Sequence, residues 1–134
     1  MENKNRTDGL EAIVDAIMTL HGYHKPDSDC YRLRNPLMLK SFSRAGKHEV
    51  NEDGVRIFSR FLDAYHAAIF DIGCKVLGRS NSGIKKTDLL RNLLGVYGIN
   101  QDKDQTQIVS FLRKALQNPD ISLQTPLSYF AEVK

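Results

Sequence analysis

Apolar residues recur along most of this chain at spacings of three and four, the period of an α-helix buried on one side. Between Asp8 and His21, the residues Leu10, Ile13, Val14, Ile17 and Leu20 share a face and Asp15 lies opposite. Asp8 followed by Glu11 resembles a capping box with Asp in place of Ser or Thr, and Gly22 is placed to end the helix. The pattern breaks over 23–34, "YHKPDSDCYRLR", which reads as a loop with a short extended piece at Tyr31 to Leu33. Asn35 as N-cap and Pro36 in the first turn predict a short helix from Pro36 to about Phe42, and Gly46 turns the loop beyond it.

The longest regular pattern follows. Val55, Phe58, Leu62, Tyr65, Ile69, Ile72 and Val76 alternate spacings of three and four, and Ile57, Phe61, Ala64 and Ala68 form a second row beside them. Arg56, Ser59, Arg60, Asp63, His66 and Lys75 supply most of the remaining surface. One helix from about Glu52 to Leu77 would be roughly 39 Å long, long enough to serve as the spine of the domain. Gly73 is the one residue in its interior with poor helix propensity, and marks either a close helix approach or a bend.

Thr87 and Asp88 then start a helix whose face is Leu89, Leu90, Leu93, Leu94 and Tyr97, ended by Gly98. Asp102 and Asp104 open the next, with Ile108, Val109, Leu112, Ala115 and Leu116 inward and Asn118-Pro119 as the stop. Thr125 and Pro126 repeat the cap-then-proline signal ahead of a short C-terminal helix. The expected fold is all-α: an irregular helical bundle of about five to six helices around one long central helix. It forms a single domain over 1–134 with a flexible stretch at 1–7. No internal sequence repeat accompanies it.

Composition agrees with one globular core: 134 residues, 41% hydrophobic and 26% charged. Cys30 and Cys74 are too few for a disulfide framework and are expected as reduced thiols. The polar N-terminus has no apolar h-region, and no apolar run approaches the roughly 20 residues that span a bilayer, so a cytoplasmic protein without membrane attachment is expected.

One stretch invites a chemical reading. "GRSNSGIKKT", Gly78 to Thr87, has two glycines at phosphate-loop separation followed by lysines and a hydroxyl. Ile84 intervenes before the lysines, however, and a phosphate loop follows a buried strand, whereas a helical pattern precedes this one. Turn chemistry explains it instead: Gly78 closes one helix, 80–83 turns the chain, and Thr87 caps the next.

The cations are unevenly spread. No acid occurs from Cys30 through His48, where Arg32, Arg34, Lys40, Arg44 and Lys47 accumulate. None occurs from Ile72 through Thr87 either, where Lys75, Arg79, Lys85 and Lys86 lie. If the two stretches share a face they would attract nucleic acid or another anionic surface, with Tyr31 and Phe42 offering stacking area. A DNA-reading helix–turn–helix at "YGINQDKD" is disfavoured because Asp102 and Asp104 would face phosphates, although Gln105, Thr106 and Gln107 have base-contacting side chains.

Chemistry beyond binding finds little support. His21, His24 and Cys30 lack a fourth zinc ligand and a recurrent spacing. His66, three residues after Asp63, has neither a triad's third member nor the surroundings of a phosphoryl-accepting histidine. Neither a cofactor nor a metal is expected, and no enzyme activity. The leading expectation is a non-catalytic interaction module, regulatory or scaffolding, that binds a protein partner or self-associates through its broadly apolar long helix. The alternative is nucleic-acid binding through Arg32, Arg34, Lys40, Arg44, Lys47, Arg79, Lys85 and Lys86.

Overall fold

The computed structural model describes residues 8–22, 31, 35, 37, 61–79 and 83–133. Within them the chain is an all-α bundle of five helices: α1 (Gly9–Leu20), α2 (Phe61–Val76), α3 (Leu90–Val96), α4 (Asp102–Ala115) and α5 (Leu127–Glu132). The expected helix at Pro36 to Phe42, the expected loops around it, the 1–7 segment and the part of the long helix before Phe61 lie outside these residues. No helix among the described residues is long and apolar enough to cross a membrane.

The most enclosed of the described helices is α1. It packs against α2, α4 and α5, and Ala12, Ile13, Val14, Ala16 and Ile17 are all buried. Small residues make this possible, because Gly9, Ala12 and Ala16 let three neighbours approach one short cylinder. Gly9 is the tightest point: its N–H donates to the Val133 carbonyl at 2.9 Å, and a Cβ there would fall 2.1 Å from the Phe130 carbonyl oxygen. At the start of α1 the Asp8 carboxylate accepts the Glu11 N–H at 2.9 Å, as the capping pattern predicts.

Around α1 the chain forms two helix–loop–helix units, α2–α3 and α4–α5. A hydrogen-bonded seam joins their loops and is reciprocal with an offset of 37 residues. Leu90 N–H donates to the Thr125 carbonyl and Leu127 N–H to that of Asp88, both at 2.9 Å. Arg91 N–H donates to the Leu123 carbonyl at 2.9 Å, and Ser128 N–H to that of Lys86 at 3.1 Å. Leu89 and Pro126 form an antiparallel bridge at the centre. The same offset relates buried Ile84 to Ile121, Leu90 to Leu127 and Leu93 to Phe130. No sequence repeat marks this relation; it lives in backbone pairing and burial.

The seam also moves both helix starts. α3 begins at Leu90, two residues after the expected Thr87-Asp88 start, and α5 at Leu127 rather than at Pro126. Backbone groups at Lys86, Asp88, Leu123 and Thr125 accept bonds from the opposite unit, which holds both segments extended. The freed side chains turn the loops instead: Asp88 accepts the Lys85 N–H, and the Thr125 hydroxyl oxygen accepts the Ser122 N–H, each at 2.9 Å. Helix ends follow expectation more closely. Gly22, Gly78 and Gly98 close α1, α2 and α3 with φ near +75° (74°, 74° and 77°), while α4 closes on Gln117 at φ 54°.

Candidate functional site

α2 has two very different sides. Ala64, Ala68, Ile72 and Val76, four residues apart, are fully buried against the rest of the bundle. Tyr65 flanks them and its hydroxyl donates to the Asp15 carboxylate of α1 at 2.8 Å. Burial, then the bond and charge of Asp15, push that hydroxyl above its ordinary pKa, so it stays a donor rather than a base.

On the other flank α2 is tied to the end of α3. Lys75 Nζ lies 2.7 Å from Asp71 Oδ2 and 5.0 Å from the centroid of the Tyr97 ring, and Tyr97 donates its hydroxyl to the same Asp71 oxygen. Desolvation first, then the Asp71 charge, raise the Tyr97 hydroxyl far above its usual range. Three polar groups that satisfy one another act as a clamp between helices. Lys75 belongs to an acid-free stretch by sequence, yet its ammonium is buried and paired, so it adds nothing to an external basic face.

The outer side carries the unexpected feature. Phe70 is 73% exposed, with Leu62 at 52% and Leu77 at 47%. His66 and Asp63 beside them are exposed too. At 3.6 residues per turn, Leu62, His66, Phe70 and Leu77 fall within an arc of about 80° and extend roughly 22 Å along the axis. α2 is therefore apolar on both its buried and its solvent side, where a surface helix is ordinarily polar outward.

Sequence periodicity alone does not separate this row from the buried one. Leu62 belongs by spacing to the row of Tyr65, Ile69, Ile72 and Val76, but the buried arc is centred on Ala64, Ala68, Ile72 and Val76 and leaves Leu62 outside. Phe70 and Leu77 belong to neither apolar row, and that was the legible signal: large apolar residues on positions that amphipathicity reserves for polar ones.

At the C-terminal end of α2 the chain reverses at Gly78, where a Cβ would meet Lys86 N at 3.6 Å and Lys85 Cα at 3.7 Å. Arg79, Lys85 and Lys86 thus gather at one helix end, all exposed. Of the remaining candidate anion-binding residues, Arg32, Arg34, Lys40, Arg44 and Lys47 lie outside the described residues, as do His24, Cys30 and Phe42. Tyr31 is exposed.

The helix–turn–helix candidates separate. Gln105 is buried and its amide donates to the Ile99 carbonyl at 3.1 Å, so it holds the α3–α4 turn; Thr106 and Gln107 are exposed. Beside Thr106, an open groove of about 500 Å³ runs between α4 and 122–124, lined by Val109, Ser110, Arg113 and Leu123 among others. Arg113 Nε donates to the Ile121 carbonyl at 2.7 Å, which braces the loop against α4. Cys74 is a half-buried free thiol, and among the described residues no group of His, Cys, Asp or Glu could hold a metal. His21, at the end of α1, is held below its ordinary pKa by burial, partly offset by the charge of Asp104.

No protein-family model, curated protein or solved structure matches this chain. The outer face of α2, with Leu62, Phe70 and Leu77 exposed, is the candidate functional surface.

Proposed function

We propose that this protein is a non-catalytic helical interaction module, regulatory or scaffolding, that docks another protein surface on the outer face of α2. The observation that carries the reading is Phe70, exposed at the middle of a helix and flanked on the same arc by exposed Leu62 and Leu77. Each apolar side chain of this size left in water forgoes on the order of 1.5–3 kcal/mol of burial free energy. A partner recovers that energy by covering the row, and a helix laid along α2 is the simplest shape that reaches all three.

A library of amphipathic helical peptides, panned against the protein, tests the reading. The expected outcome is binders whose affinity falls at least tenfold on Phe70→Asp and on Leu62→Asp. A library that yields no binder, or only binders indifferent to both substitutions, would contradict it.

A second reading draws on the cations gathered at the end of α2. Arg79, Lys85 and Lys86 would form one part of a nucleic-acid-binding surface, with the 30–48 stretch as the other. Fluorescence anisotropy with single- and double-stranded DNA and RNA at low salt is the test. Binding should weaken as salt rises and again when Lys85 and Lys86 are neutralised together. Failure to bind any of them at about 50 mM salt removes this reading.

A further inference from the structure

The outward row of α2 is nearly symmetric about its own middle. Leu62 lies eight residues before Phe70 and Leu77 seven after it, which places the leucines about 12 and 10 Å to either side of the ring along the axis. Such a row complements a reversed copy of itself, with Leu62 of one chain on Leu77 of the other and the two Phe70 rings at the centre. Gly73, within the same arc, adds no side chain between the ring and Leu77, and a Cβ there would lie 3.6 Å from Leu10 Cδ1 of α1.

Charge selects the direction. Exposed Arg79, Lys85 and Lys86 crowd the C-terminal end of the face. A parallel pair would stack one trio of cations on the other. A reversed pair separates the trios, with the helix dipoles opposed as well.

We infer that two copies of this chain associate about a two-fold axis through antiparallel α2–α2 pairing centred on Phe70. This rests on the proposed docking role of the α2 face and adds its occupant. The contact is isologous, so it closes at a dimer. A face this short is small for a specific interface, so the pair is reversible, with a dissociation constant on the order of 100 μM.

Two experiments on the full chain decide it. In sedimentation velocity from 5 to about 500 μM, set to bracket the weak affinity, the weight-average mass should climb from 15.2 kDa toward twice that value. Phe70→Asp and Phe70→Ala should each weaken association at least tenfold while the circular dichroism stays that of the wild type. Then, with Cys30 and Cys74 replaced by Ser, Leu62→Cys mixed with Leu77→Cys should form a disulfide-linked pair at least fivefold faster than either variant alone. A mass fixed at 15.2 kDa, association indifferent to Phe70, or faster cross-linking within each variant than between them would each overturn the inference. A monomer that still selects Phe70-dependent helical peptides overturns only the choice of occupant. A monomer that selects none overturns the docking reading with it.

Discussion

On α2, the residues Leu62, His66 and Phe70 face solvent; forty residues later on α4, the matching positions are Asp102, Thr106 and Ser110, also exposed. On the inner side the match is equally regular but the chemistry agrees: Ala68, Ile72 and Val76 are buried in α2, and Ile108, Leu112 and Leu116 in and just after α4. Two units thus share a seam and an inward pattern and differ on the face turned to water. Folding explains what they share, since both must bury one stripe against α1. It does not explain an apolar outer face on one of them, because the α4–α5 unit folds against the same helix with a polar one. The surplus on α2 is what the proposed docking role would use.

That comparison can be broken at the seam. Leu90→Ala and Leu127→Ala remove equivalent, fully buried side chains, and each should cost about 2–5 kcal/mol in urea unfolding. Losses within about 1 kcal/mol of each other would sharpen the equivalence; a loss from only one would show that a single unit carries the core. Gly9→Ala attacks the place where α1 crosses α5. With the new methyl 2.1 Å from a backbone oxygen the helices must shift, and the cost should be about 1–3 kcal/mol, read as a lowered urea midpoint.

The helix ends allow a finer comparison. Gly78 and Gln117 occupy the same left-handed position after α2 and α4, and the following N–H groups bond back to Cys74 (2.7 Å) and Arg113 (3.0 Å). Gln117→Gly should raise stability and Gly78→Ala should lower it, each by about 1 kcal/mol, because only glycine enters that region without steric penalty. The smallest change is with pH. His21 is bound to protons less readily in the folded state, so stability should be fully present above about 6.5 and fall as pH drops toward its lowered folded value. His21→Asn should flatten that slope in urea titrations between pH 7 and 5, set around the ordinary histidine value.

Much of the architecture was legible from periodicity and punctuation. The inward faces of α1, α3 and α4 and the glycine stops at Gly22, Gly78 and Gly98 follow from spacing and backbone preference, which are local properties. The seam was not legible, because its bonds join backbone groups 32–42 residues apart and leave no side-chain signature. The two misplaced helix starts have the same cause. Among the described residues, the enclosure of α1 was not legible either, because it depends on close packing of its small residues on three sides. Of the basic stretches, sequence put Arg79, Lys85 and Lys86 together and the Gly78 turn gathers them, but it could not show that Lys75 is buried with Asp71. The apolar row on α2 was readable only in part, since Leu62 fits the inward pattern and burial alone reveals that it is not used there.

The account turns on Phe70 being surplus to the fold. Urea unfolding of Phe70→Asp at low micromolar concentration, where association contributes nothing, measures that directly. A residue in water can be exchanged for a charge at little cost, so the variant should unfold within about 0.5 kcal/mol of the wild type. A loss of about 3 kcal/mol or more would mean that Phe70 is packed inside the molecule, and the α2 face would not be a free surface.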